Sequence, residues 1–242
     1  MDTSTTSRRT TEAARERSFL ANAAHELRTP LHSANGFVEM VLDGLAGSLN
    51  ERQQEMLTHA HTAIGQLGVL IEDVLFVARS DNGEIQPRLS TVDPSAILTC
   101  ALDCVREQAD EQGVTLTRQE QELPTTIQAD SERLREGLAG LLRGCLAMMS
   151  ARGELTVAAT ARNDLLVFEV TLDQVRINAT DKRHLFDRFY QPRPLGADRS
   201  ANLGLGLVIA QTTALWHRGH VRVDSATDGS VILCYELPLN CS

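Results

Sequence analysis

Apolar positions recur with helical spacing through the first eighty residues. From about Glu12 to Leu45, Phe19, Ala23, Leu27, Leu31, Ala34, Val38 and Val41 fall in one wide stripe at about 100° per residue. Ser18, Asn22, His25, Thr29, His32 and Gly36 collect on the opposite side. Gly44, Gly47 and Asn50, the last as an N-cap, break the pattern. A second helix is predicted from about Glu51 to Ser80, with Met56, Leu57, Ala60, Ile64, Leu67, Leu70, Ile71, Val74 and Leu75 as its buried stripe. Asp81-Asn82-Gly83 ends it with turn residues. Two helices of about 30 residues cannot cover both stripes against one another, so the hairpin is expected to pair with a second copy as a four-helix bundle.

After Gly83 the pattern turns to mixed helix and strand. A strand is predicted at Ile85–Val92, then a helix from Pro94 to about Gln112, with proline at a permitted first-turn position. Short strands follow at Val114–Arg118 and Thr126–Ala129, then a helix from Ser131 to about Met149. Glu154–Thr160 and Leu165–Leu172 read as adjacent strands. Residues 173–203 hold no sustained period and read as a long, functional loop with a short helix inside. A helix from about Gly204 to His217 and strands at His220–Ser225 and Val231–Leu237 complete a sheet with helices on one face.

Composition narrows the class. The 242 residues are 42% hydrophobic, 4% aromatic and 23% charged, enough for one or two domains with a real core. A net charge of −9 gives no general attraction to phosphate backbones, so nucleic acid is not an expected partner. Lys182 is the one lysine among 23 basic residues, which confines lysine chemistry to a single position. Cys100, Cys104, Cys145, Cys234 and Cys241 form no CxxC pair, which argues against a zinc site. Cys100 and Cys104 share a helix face and are read as small buried hydrophobes. No apolar run approaches the roughly 20 residues of a bilayer span, and Met1 to Arg9 lacks a signal peptide's apolar stretch. These features predict a cytoplasmic protein without direct membrane insertion.

The segment Phe19-Leu20-Ala21-Asn22-Ala23-Ala24-His25-Glu26-Leu27-Arg28-Thr29-Pro30-Leu31 resembles the H box of sensor histidine kinases. The resemblance runs over nearly the whole chain. It implies an α+β fold: a helical hairpin forming a dimeric four-helix bundle, followed by an α/β two-layer sandwich of the histidine-kinase ATPase type. Residues 1–82 would be the dimerisation and histidine-phosphotransfer domain and residues 83–242 the ATP-binding-like domain. His25 becomes the phosphoacceptor by resemblance, and its chemistry agrees: neutral imidazole is a good nucleophile for phosphorus near pH 7. Glu26 resembles the acidic residue that orients or deprotonates that imidazole. Pro30 removes the amide that would bond the Glu26 carbonyl, so the helix should bend just past the histidine. Thr29, one turn beyond His25, matches a family position that places water for dephosphorylating a response regulator. His32, His59, His61, His184, His217 and His220 are read as surface or packing residues.

The nucleotide boxes match unequally. Asp130-Ser131-Glu132-Arg133-Leu134 through Leu141-Leu142 resembles the start of the family's N box. That register puts Gly144 where the magnesium-ligating asparagine belongs and Ala147 where a basic residue belongs; residues 130–160 contain neither asparagine nor lysine. Glycine has no oxygen-bearing side chain to offer a metal. Leu185-Phe186-Asp187-Arg188-Phe189-Tyr190 anchors the first glycine-rich box. Leu172 then stands at the adenine-binding aspartate, with Gln174 and Arg176 at the two glycines. Asp173 is one position off and should point the other way. The second glycine-rich box persists as Gly204-Leu205-Gly206-Leu207, where backbone amides at a helix start hold phosphate or the glycines serve tight packing.

Micromolar nucleotide binding needs about −8 kcal/mol, and losing a charge-assisted adenine contact costs roughly 1.5–3 kcal/mol. ATP and magnesium are therefore family cofactors whose key ligands are replaced here, and no metal ligand is assigned. Three functions follow. The first is a phosphorelay protein in which His25 exchanges phosphoryl groups with a response-regulator receiver domain, or Glu26 and Thr29 support its dephosphorylation, with the autokinase step impaired. The second is an active ATP-dependent histidine autokinase with an unusual site. The third is a homodimeric scaffold that binds a response regulator or another histidine kinase.

Overall fold

A computed structural model describes residues 26–81, 83, 85–121, 123–149, 152–173, 175–192, 204–225 and 230–239. The chain divides into two compact units between Ile85 and Gln86.

In the first unit, helix α1 is described through residues 26–42 and α2 spans Glu51–Asp81. The connection turns at Gly44 and Gly47, with φ of 81° and 105°, which a side chain would oppose. Asn50 and Gln53 then form a reciprocal cap. The Gln53 amide donates to Asn50 Oδ1 at 2.9 Å and the Asn50 amide to Gln53 Oε1 at 3.0 Å. Leu31 of α1 packs on Ile71 and Leu75 of α2. The predicted stripe of α1 divides: Leu31, Val38 and Val41 are half-buried, while Leu27 and Ala34 are exposed. Leu27 keeps 55% of its surface, Phe37 66% and Met56 64%. An 18-residue window of α2 reaches a mean hydropathy of 1.3, so by length and composition this helix could cross a bilayer. That corrects the expectation that no apolar run approaches such a length: interspersed Gly and polar residues hid it from a search for unbroken runs.

The second unit holds β1 (Ser90–Val92), α3 (Pro94–Gln112), β2 (Val114–Gln121), β3 (Ile127–Ala129), α4 (Ser131–Met148), β4 (Gly153–Arg162), β5 (Leu165–Leu172), α5 (Ala179–His184), α6 (Gly206–Trp216), β6 (His220–Ser225) and β7 (Val231–Pro238). Five strands form one sheet in the order β2-β4-β5-β7-β6, and β1 pairs with β3 separately. The β2–β4 pair is parallel and the other three pairs are antiparallel. Asn163 and Asp164 join β4 to β5 with φ of 52° and 60°, the two-residue loop that follows strand twist. Alternate strand residues such as Leu155, Val157, Phe168, Val170, Leu233 and Tyr235 share one core with α3, α4 and α6. The helical hairpin followed by a mixed-sheet sandwich is the fold class the sequence implies.

Two local expectations change. The predicted strand at Ile85–Val92 shortens to Ser90–Val92. Pro87 has no amide for a ladder, and the Arg88 amide donates instead to Asp130 Oδ2 at 2.6 Å. Cys100 and Cys104 are exposed, not buried. The inward stripe of α3 is Ile97, Leu98, Ala101, Leu102, Val105 and Ala109, and both cysteines fall on its flank.

Candidate functional site

The segment that resembles the H box runs into the first turn of α1 that the structure describes. His25 lies outside the described residues, immediately before Glu26. Glu26 and Thr29 are both exposed. Pro30 leaves the Glu26 carbonyl without its helical donor. The hydroxyl of Ser33 donates to the Thr29 carbonyl at 3.1 Å, a back-bond that also loosens helices. Between them, Arg28 is turned toward α2. Its Nε and Nη2 donate to Glu72 Oε1 and Oε2 at 2.6 and 2.5 Å. His61 Nε2 lies 3.0 Å from Glu39 Oε1 farther along the hairpin, and Asn35 Nδ2 donates to the same oxygen at 2.8 Å.

In the second unit, α4 and α6 meet along a seam of small residues. A Cβ on Gly144 would lie 2.6 Å from both Cγ and Cδ2 of Leu207. One on Gly140 would lie 2.7 Å from the Gly206 carbonyl oxygen, and one on Gly206 would lie 2.5 Å from that of Gly140. At Gly137 it would sit 2.0 Å from Thr213 Oγ1. Carbon atoms in contact need about 3.5–4.0 Å, so none of these positions accepts a side chain without movement of its neighbours. Gly204 has φ of 68°, and a Cβ there would lie 2.4 Å from the Tyr190 carbonyl oxygen. Leu205 caps α6 without a side-chain bond, and Leu205 to Ala210 are buried. Gly204 and Gly206 therefore have steric work inside the chain.

Polar groups pin the end of this seam where α4 begins and α6 finishes. Asp130 caps α4 by accepting from the Arg133 amide at 3.1 Å. Its own amide donates to Nε2 of the buried His217 at 2.9 Å, and His217 Nδ1 lies 2.7 Å from the Thr213 carbonyl. That arrangement selects the tautomer with Nδ1 protonated. Tyr235 donates its hydroxyl hydrogen to Thr213 Oγ1 at 3.0 Å, and full burial raises its pKa. Burial likewise raises the Cys145 thiol and the Glu136 carboxyl, the latter against the opposing pull of Arg133 at 2.6 Å.

Leu172 is fully buried in the core, and Asp173 is exposed. Gln174 lies outside the described residues. Arg176 is exposed between buried Val175 and half-buried Ile177. Phe186 packs on the core, while Phe189 stays 63% exposed with φ of 61°. Tyr190 donates its hydroxyl hydrogen to Asp181, which raises the tyrosine's pKa. Lys182 Nζ donates to Ser225 Oγ at 2.5 Å. Among the described residues no three His, Cys, Asp or Glu side chains converge as a metal site.

Of the positions singled out in the sequence, Gly144, Gly204 and Gly206 gather around α6, Leu172 sits within the core, and Glu26 and Thr29 sit on α1. Glu72 was missed: it lies 44 positions from Arg28 and carries no local signal. The seam was missed as well, although glycines at 137, 140 and 144, spaced three and four apart, mark one face of a helix.

Residues 15–83 match the family described as "His Kinase A (phospho-acceptor) domain", and residues 129–240 match "Histidine kinase-, DNA gyrase B-, and HSP90-like ATPase". The Histidine protein kinase DivJ of Caulobacter vibrioides is 28% identical over 221 residues, covering 91% of this chain and 37% of that protein. Signal transduction histidine-protein kinase BaeS of Escherichia coli is 28% identical over 225 residues, covering 92% and 47%. Full-length ShkA, solved in complex with AMPPNP, superposes with a TM-score of 0.68 at 25% identity over 93% of this chain and 46% of that one. The Acinetobacter baumannii histidine kinase AdeS gives a TM-score of 0.58 at 18% identity over 89% and 98%. This chain spans about a quarter to a half the length of curated relatives such as DivJ and BaeS.

Proposed function

Because the chain belongs to the two-component sensor histidine kinase family, we propose that it exchanges phosphoryl groups through His25 with a response-regulator receiver domain, while its own ATP-dependent step is impaired. One imidazole nitrogen attacks the phosphorus of the receiver's aspartyl phosphate. The P–O bond to the aspartate breaks, the carboxylate leaves, and the ring's other nitrogen gives its proton to Glu26 or water. In the reverse direction the same atoms return phosphate to the receiver, whose own site supplies the magnesium. Thr29, exposed and four positions after His25 in sequence, would orient water for direct hydrolysis of the receiver's acyl phosphate. A homodimer completes the helical bundle by covering Leu27, Phe37 and Met56. Use of the apolar faces of α1 and α2 in such a dimer supports a cytoplasmic hairpin as part of this reading.

The observation that carries the impaired step is the contact between Gly144 and Leu207, which leaves no room for a metal-ligating side chain at that point of α4. Buried Leu172 adds to it, since a leucine cannot accept from an adenine amine. Phosphoryl transfer from ATP depends on metal and positioning, so both losses fall on that reaction. ShkA, at 25% identity, was solved with AMPPNP, and this favours an active ATP-dependent autokinase as the second reading.

Incubation with magnesium and γ-labelled ATP, with His25→Ala as control, separates the two. Acid-labile label on the wild type at a useful rate would overturn the impaired step. Transfer from a phosphorylated receiver domain to the wild type but not to His25→Ala supports the relay. If neither His25→Ala nor Thr29→Ala changes any receiver's phosphorylation, the chain acts as a scaffold.

A further inference from the structure

We infer that Arg28, through its paired contact with Glu72, is a positioning residue that sets which way the phosphoacceptor turn of α1 faces. The inference rests on the phosphoryl-exchange reading above and assigns a specific task to two side chains.

The backbone of this turn is weakly held. Pro30 deprives the Glu26 carbonyl of a partner, and Ser33 Oγ shares the Thr29 carbonyl at 3.1 Å. A helix with two compromised carbonyls in successive turns bends there easily, and bending changes the direction of every side chain before it. The turn therefore needs an external anchor if Glu26 and Thr29 are to meet a partner in one orientation.

Arg28 supplies such an anchor. A guanidinium that donates from two nitrogens to two carboxylate oxygens fixes both distance and rotation, whereas a single contact fixes distance alone. Here both bonds are short, 2.6 and 2.5 Å. Thr29 follows Arg28 by about 100° round the helix and Glu26 lies about 160° away, so holding Arg28 against α2 turns both outward. Both are exposed, as that geometry requires. Leu31, three residues on, packs on Ile71 and Leu75, which lie next to and one turn beyond Glu72. The ion pair and this apolar contact thus grip the same short stretch of α2 from one turn of α1. The glutamate is 54% exposed and the arginine 31%. Such a pair adds little to stability, so its removal should alter the facing of the turn more than the fold.

The test uses the full chain as wild type, Arg28→Ala, Glu72→Ala and the charge-swapped Arg28→Glu/Glu72→Arg. Each is loaded with phosphate on His25 by phosphoramidate, a small donor whose P–N bond breaks with release of ammonia. Transfer to isolated receiver domains is then followed at increasing receiver concentration. The single variants should transfer about tenfold or more slowly at saturation with little change in KM, because misplaced reactants lose rate rather than docking. The swapped pair should recover to within about threefold, and melting temperatures should stay within about 4 °C of wild type.

Wild-type transfer rates in both single variants would overturn the positioning role. So would a loss that the swap does not repair, a raised KM alone, or a melting temperature that falls in step with the rate. A wild type that accepts phosphate from phosphoramidate yet passes it to no receiver would sink the exchange reading itself, and the positioning role with it.

Discussion

Replacing Gly144 with asparagine offers two opposed outcomes. If the second unit is an intact nucleotide site short of one ligand, the substitution supplies an oxygen for the metal and should bring nucleotide binding. If α4 and α6 need the space, it should break their contact. A Cβ at Gly144 lies 2.6 Å from two carbons of Leu207, about 1 Å inside normal contact, and Cγ is not a free end that can swing aside. Overpacking of this kind costs about 2 kcal/mol, and an amide left without partners beside Leu207 adds about 1.5 kcal/mol. Asparagine recovers only a few tenths of a kcal/mol of helix propensity over glycine. The net loss is about 3 kcal/mol, or roughly 6–12 °C in the melting temperature of a domain of this size. Thermal unfolding by circular dichroism, with and without AMPPNP and magnesium, measures both outcomes. At about a hundred times Kd the nucleotide would add about 2.7 kcal/mol, an unmistakable upward shift. A Gly144→Asn protein that melts with wild type, or that gains such a shift, refutes the steric account of the seam.

Other expected outcomes concern stability and assembly. Burial raises the Glu136 pKa above its usual value near 4.5. The folded state therefore binds that proton more tightly, and the associated stability is present at low pH and lost as pH rises through the folded pKa. Glu136→Gln should accordingly raise the melting temperature at pH 8, with the gain shrinking towards pH 4; a pH-independent difference would refute the cause. Asp130→Ala removes the cap on Arg133 and the acceptor for the Arg88 amide, for a loss of about 2 kcal/mol in denaturant unfolding. Asp130→Ser should recover only the capping half. Phe37, 66% exposed in the single chain, should tolerate glutamate as a monomer, and sedimentation should show Phe37→Glu shifting the protein away from dimer.

Elements with a strong internal period were legible in the sequence. Helix α3 announces itself through Asp93 as N-cap, Pro94 in the first turn and Gly113 with φ of 66° at its end. Strands β5 and β7 are apolar runs with sharp polar or turn boundaries, which let them be bounded to within a residue. What could not be read locally is what faces what. Gly137, Gly140 and Gly144 look like helix-weakening residues until α6 is seen against them. Pro87 stood inside an extended run in which the Arg88 amide turned out to serve Asp130, more than forty positions away. The exposed flank of α3 holding Cys100 and Cys104 follows from a helical wheel only once the inward stripe is known. At the candidate site the H-box residues were readable as a motif, whereas the anchoring of Arg28 by Glu72 depends on two helices meeting across a turn.

The two-residue loop at Asn163 and Asp164 has a consequence for the order in which the sandwich assembles. It lets β4 and β5 pair between immediate neighbours, Arg162 with Leu165, so this ribbon closes with almost no loop entropy and on a microsecond scale. Strand β2 must instead wait for a partner that begins 39 residues later, since Val114 pairs with Gly153 and all of β3 and α4 intervene. Parallel pairing at that separation makes β2 the late-arriving edge of the sheet. Substitutions in the Asn163–Asp164 loop should therefore slow folding, and substitutions in β2 should chiefly speed unfolding.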